Sequence, residues 1–296
     1  MAFVLGTPVK RNGDGDDGDD DDVGCDIICE SPIARDDDGG GGGGGVKDDD
    51  APVRYVPGRS LYDEGGKHAL VFATTSESEA YVRKYHQQSC SSSCSQSSVS
   101  YTAVVCDPFV ARRLRAHQAE GARWMYRALH GFDDDDDCRY RGVVLADEMG
   151  LGKSLQVLAL LWAMLKQGPR GVGSCSRAVL VCPASLIGNW GAEFTKWLGR
   201  VRVQAALAEG NADAVDEACD KWCAEPAKSS NSAFDRWPVL VMSYETARRL
   251  APRVKAMKPE LLICDEAHRL RNALGSQTMT ALRDIDAPMR VLLTGT

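Results

Sequence analysis

From about residue 107 onward, short solid apolar runs alternate with stretches whose apolar residues recur every three or four positions. The runs predict strands over 142–146, 178–182, 201–207, 239–242, 261–264 and 290–293. The three-and-four spacing predicts helices over 153–165, 186–198, 211–224, 244–250 and 277–282. Strands that are apolar throughout, rather than alternating, suit a parallel sheet covered on both faces. The expected fold is therefore α/β, a doubly wound and mainly parallel sheet. Ahead of it, Leu114, His117, Gly121, Trp124 and Ala128 predict a helix over 112–129, although Gly121 weakens it by about 1 kcal/mol unless a neighbour packs closely there. Residues 101–106 predict one more strand.

The N-terminal third reads differently. Residues 1–55 are rich in Asp and Gly, with seven consecutive glycines from Gly39 to Gly45, and are expected to be disordered. Residues 56–106 are expected to be a partly ordered extension, with an apolar run at 69–73 and a Ser/Cys-rich linker over 89–100. Asp133 to Asp137 read as a surface insertion. The net charge of -7 is uneven: residues 1–50 hold 15 acids and 4 bases, which leaves +4 on the remainder. The whole-chain charge thus hides a mildly basic body and does not argue against a nucleic-acid partner. Eleven cysteines show no zinc spacing, and their odd number fits a reducing compartment. No apolar stretch is long enough to span a bilayer, so no membrane partner is expected.

Two motifs carry the chemistry. Asp147 to Ser154 read DEMGLGKS after the first strand of the α/β pattern. Gly152, Lys153 and Ser154 match the end of a phosphate loop, while Asp147 stands where its first glycine is usual. Gly150 and Gly152 let the backbone curl so that amides face an anion. Lys153 suits the β- and γ-phosphates of ATP, and Ser154 suits Mg²⁺. Asp265 and Glu266 follow the apolar run 261–264. One carboxylate suits the metal, and Glu266 suits activation of a water. His268 is a candidate relay toward Thr294, Gly295 and Thr296. Trp190 falls in the helical series Leu186, Trp190, Phe194 and Trp197, which favours a core position over a base-stacking one.

Together these residues resemble the SWI/SNF-type DNA-translocating ATPases of helicase superfamily 2. The resemblance rests on DEMGLGKS, on Leu180 to Leu186 with Asn189, Trp190, Glu193 and Phe194, on Ser243-Tyr244-Glu245, on Asp265 to Asn272 and on Leu293 to Thr296, in the family's order. It covers 107–296 and implies a RecA-like first lobe. It implies Gln118 as the adenine-reading residue, from Leu114, Arg115, His117 and Gln118. It also implies duplex-phosphate contacts from backbone amides near Ser185 and Leu186, with Lys196, Arg248 and Arg249 as helpers. Asp107-Pro108 and Cys182 to Trp190 look most like the Rad-type recombination branch, whereas Ala267 stands where that branch often has glycine. That branch implies a nuclear protein acting on double-stranded DNA with a recombinase filament. A chromatin-remodelling ATPase and a non-catalytic nucleotide-gated scaffold remain alternatives. Because the sequence stops just after an apolar run, the expectation is a first lobe without its partner lobe, hydrolysing ATP little by itself.

Overall fold

The structure is a computed structural model that describes residues 60–66, 69–89, 101–133, 141–224, 237–271 and 273–295. The acidic head, the Ser/Cys-rich linker from residue 90, Asp134 to Asp137, Asn272 and Thr296 lie outside the described residues.

A small antiparallel pair comes first: β1 (Val71–Ala73) with β2 (Val104–Val105), between which runs α1 (Thr75–Ser89). The strand expected over 101–106 is thus only two residues long. The helix expected over 112–129 starts later, as α3 (Ala116–His130). A separate short helix, α2 (Pro108–Ala111), capped by Asp107, precedes it, and residues 112–115 form the non-helical turn between them. Pro108 suits the first helical turn, and the Asp107 carboxylate accepts the Phe109 N–H at 2.8 Å. The Arg115 N–H donates to Gln118 Oε1 at 2.9 Å, which starts a fresh helix there.

The main sheet contains β3 (Arg141–Leu145), β4 (Ala178–Cys182), β5 (Ala205–Ala208), β6 (Val239–Ser243), β7 (Leu261–Cys264) and β8 (Met289–Leu293). Its order is β3-β8-β7-β4-β6-β5, and every neighbouring pair is parallel. The helices between strands are α4 (Lys153–Lys166), α5 (Ile187–Trp197), the single turn α6 (Gly199–Arg202), α7 (Ala212–Cys223), α8 (Tyr244–Ala256) and α9 (Ala273–Asp284).

All five residues of β4 are buried. Leu180 and Cys182 pack with α3, α4 and α5, whereas Val179 and Val181 pack with α7, α8 and α9. This two-faced burial is the reason the strands read as solid apolar runs. Leu70, Phe72 and Cys106 share the first of these cores, so the β1–β2 pair is packed into the lobe.

Three further boundaries differ from expectation, the first two for clear reasons. Residues 201–207 were expected as one strand. Instead α6 turns Arg202 inward, where its Nε donates to Asp107 at 2.6 Å, and β5 starts only at Ala205. Helix α8 continues past Leu250 with Pro252 inside it, because Ala251 and Val254 are buried on its inner face. Helix α9 begins at Ala273 rather than 277. Among the described residues, no helix is long and apolar enough to cross a membrane.

Candidate functional site: a phosphate loop facing paired carboxylates

In a parallel sheet every strand ends at the same edge. DEMGLGKS follows β3, Thr294 follows β8, Asp265 follows β7 and Ser185 follows β4. In the sheet order, β3 and β7 are separated only by β8. At a strand spacing of about 4.8 Å, the ends of β3 and β7, from which the phosphate loop and Asp265 follow, are about 10 Å apart. One magnesium nucleotide can reach both, and this is where ligands sit in doubly wound sheets.

The loop curls through two left-handed residues, Gly150 at φ 85° and Gly152 at φ 78°. A Cβ on residue 152 would also overlap Gln118 Nε2. Helix α4 starts at Lys153, with its positive end toward the loop. Lys153 Nζ donates to the carbonyl oxygens of Asp147 (2.8 Å) and Glu148 (3.1 Å). Its ammonium therefore lies over the curl, where phosphate oxygens are the natural competitors for those bonds.

Gln118 is buried against the loop and donates from Nε2 to Leu151 O at 2.9 Å. With Oε1 engaged by the Arg115 N–H, each end of the amide keeps one further bonding capacity for a base edge. His117 Nε2 lies 3.3 Å from the same Leu151 carbonyl.

Asp265 is held from several sides. Its N–H donates to Val181 O at 2.8 Å, and the Tyr244 hydroxyl donates to its carbonyl at 2.6 Å. Its carboxylate accepts Trp190 Nε1–H on Oδ2 and the Glu266 N–H on Oδ1, both at 2.9 Å. Burial pushes the Asp265 carboxyl above the ordinary carboxylate range; the Trp190 and Glu266 donors, with Lys153 nearby, pull it back. Glu266 sits at φ 51°, a left-handed conformation unusual for a side-chain-bearing residue. Its Oε2 is buried, and among the described residues its one polar neighbour is His268 Nδ1 at 3.1 Å, which pairs with it only when that nitrogen carries a proton. A buried carboxylate oxygen so sparsely satisfied, beside the metal-suited Asp265, fits a site that takes a cation and a polarised water. Ser154 supplies a hydroxyl from the first turn of α4 on the opposite wall.

Between the two walls, the Thr294 N–H donates to Leu145 O at 3.1 Å. Gly295 is packed against Met149, whose Cγ would lie 3.0 Å from a Cβ at that position. Met149 is otherwise 72% exposed, at the tip of the phosphate loop. The C-terminal segment thus touches the loop directly. Ser185 and Leu186 occupy a 3₁₀ turn at the same edge, with Ser185 exposed. The Leu186 N–H donates to Pro183 O, so a phosphate there must compete with that bond. Lys196, Arg248 and Arg249 are exposed.

Three contributors were not recognised from the sequence. Trp190 is buried as its helical stripe implies, yet its N–H also orients Asp265 from 75 positions away. Tyr244 braces the Asp265 backbone. Gln156 binds Asp147 from inside α4. The sequence signal in each case was a polar-tipped side chain on an otherwise apolar face.

The sequence is similar to proteins of known family. The chain is 40% identical over 197 residues to the DNA repair protein rhp54 of Schizosaccharomyces pombe, covering 66% of this chain and 22% of that protein. It is 35% identical over 231 residues to the DNA repair and recombination protein RAD54 of Saccharomyces cerevisiae, covering 65% and 25%. It is 39% identical over 194 residues to the DNA repair and recombination protein RAD54B of Gallus gallus, covering 65% and 19%. The chain therefore spans a quarter or less of these relatives' lengths. Among solved structures, the Sulfolobus solfataricus SWI2/SNF2 ATPase core in complex with dsDNA aligns with a TM-score of 0.46 at 23% identity, over 62% of this chain and 32% of that one. The SNF2-related domain model matches residues 117–296, more than half of the sequence, and the chain belongs to that family.

Proposed function

We propose that this chain is the nucleotide-binding lobe of a DNA-dependent ATPase that tracks along double-stranded DNA in recombination and double-strand-break repair. The carrying observation is the shared sheet edge, with the Gly150–Ser154 curl and the Asp265–Glu266 pair separated by one strand. The repair assignment is supported by the DNA repair and recombination proteins among the relatives, and it implies a nuclear protein whose partners include duplex DNA and a recombinase filament.

In this reading Lys153 leaves the Asp147 and Glu148 carbonyls for the β- and γ-phosphates of ATP. Ser154 and Asp265 hold Mg²⁺, which when bound supplies charge neutralisation at the transferring phosphoryl group. Gln118 contacts the adenine edge. Glu266 orients the attacking water and takes its proton, and His268 stands beside it to transmit the state of that carboxylate. Thr294 and Gly295 lie against Leu145 and Met149, so movement of the loop reaches the C-terminal segment through direct contacts. Thr296, next in the sequence, is assigned to the same coupling role. Ser185, with the adjoining turn at Leu186, meets duplex phosphates, a contact that positions without reading sequence.

The test separates binding from turnover. Lys153→Ala in this chain should abolish binding of a fluorescent ATP analogue. Glu266→Gln in the protein carrying this lobe should retain nucleotide while DNA-stimulated phosphate release disappears. Phosphate release unchanged by Glu266→Gln would refute the assignment.

A further inference from the structure

Asp147 stands where most phosphate loops have glycine, and one residue inside α4 accounts for its position. Gln156 is fully enclosed, at 0% exposure, and its Nε2 donates to Asp147 Oδ2 at 3.0 Å. Its Oε1 is buried with no hydrogen-bond partner among the described residues and lies where a Cβ on residue 121 would be. A glycine at 121 is therefore the opening in α3 through which Gln156 reaches the loop. One turn earlier on the same helix, Gln118 donates to Leu151 O and fills the space beside Gly152. Helix α3 thus meets the loop at both ends, at Leu151–Gly152 directly and at Asp147 through Gln156.

We propose that Gln156 is a positioning residue for nucleotide binding: it fixes the Asp147 carboxylate and, with Gly121 and Gln118 of α3, holds the start and end of the phosphate loop at the separation a triphosphate needs. The inference rests on the ATP-binding reading above. A glutamine that leaves its side-chain oxygen unpartnered in a closed interior is costly, and among the described residues the one hydrogen bond of its side chain is to the loop. The carbonyls that accept from Lys153 belong to Asp147 and Glu148, so a displaced Asp147 also displaces the lysine's resting place.

The test is equilibrium binding of a fluorescent ATP analogue with Mg²⁺ to the 296-residue chain, with thermal melting measured alongside. Q156M keeps volume but removes the donor, so it should fold and bind about tenfold more weakly. Q156E sets two acceptors against each other and should bind at least as poorly. D147N/Q156E reverses the polarity of the pair and should return affinity to within about twofold of wild type. A purely structural role would move melting temperature without this rescue. Wild-type affinity in Q156M, or D147N/Q156E no better than Q156E, overturns the inference while leaving the ATP reading intact. Failure of the wild-type chain to bind, or binding that K153A leaves unchanged, overturns the ATP reading and the inference with it.

Discussion

Trp190→Phe is the most revealing single substitution in the site. It keeps an aromatic ring in the α5 stripe and deletes one N–H, the donor to Asp265 Oδ2 at 2.9 Å. A hydrogen bond to a charged partner is worth about 1.5–3 kcal/mol when the partner stays buried. Orienting bonds to a metal-binding carboxylate typically carry about 10–100-fold in metal affinity. The two figures agree, since about 1.4 kcal/mol corresponds to a factor of ten. Asp265 keeps its second donor, the Glu266 N–H, so the lower half of that range is expected. The substitution has a second signature in pH. Burial already raises the Asp265 carboxyl, and the Trp190 donor opposes that rise. Removing it moves the carboxyl higher still, so metal-dependent binding, which needs the ionised form, fails at a higher pH as acid is added. The assay is Mg²⁺ titration of nucleotide-analogue fluorescence across a pH series, beside the same measurement in chelator. Affinity in chelator should change little. An unchanged Mg²⁺ dependence and an unmoved acid limb would refute the claim that Trp190 prepares the metal carboxylate.

Other outcomes follow from residues away from the chemistry. Asp107→Ala removes the carboxylate from a buried ion pair with Arg202 (side-chain exposures 2% and 6%) and the acceptor that Tyr62 and Phe109 also use. Breaking such a pair costs about 3–5 kcal/mol, and an unchanged denaturant midpoint would contradict it. His130 is held neutral by burial, its pKa lowered to about 4. The unfolded chain therefore binds the extra proton between about pH 4 and 6.5, and stability present above that window is lost as pH falls through it, by about 3 kcal/mol at most. His130→Phe should flatten this part of the melting-versus-pH curve; an identical slope would discount it. Gly152→Ala should weaken nucleotide binding at least tenfold, because φ 78° and the contact with Gln118 both exclude a side chain; wild-type binding would show the curl to be dispensable.

The parts of the fold legible in the sequence were those governed by local pattern. The strands at 178–182 and 261–264 needed only solid apolar runs, and they stand as expected because both their faces are covered. The phosphate loop and the Asp265–Glu266 pair could be placed at one edge because parallel strands share an edge. What escaped depended on contacts far apart in sequence. Residues 201–207 look like a strand, but Arg202 is drawn to Asp107, 95 positions earlier, and the chain turns helical to deliver it. Pro252 is a reasonable helix stop, yet buried Ala251 and Val254 carry α8 past it. The Trp190–Asp265 bond is invisible to periodicity, which identifies the buried face of α5 but not the polar group waiting on it. Gly121 reads as a weak point in a helix; only the enclosed Gln156 amide explains why no larger residue fits.

The most direct measurement is a structure of this chain with Mg²⁺ and a non-hydrolysable ATP analogue. The account predicts phosphate oxygens within hydrogen-bonding reach of Lys153 Nζ, the metal between the Ser154 hydroxyl and the Asp265 carboxylate, and Glu266 facing the γ-phosphate. A nucleotide seated away from the β3, β8 and β7 edge, or a metal that leaves Asp265 bonded only to Trp190 and Glu266, would contradict it.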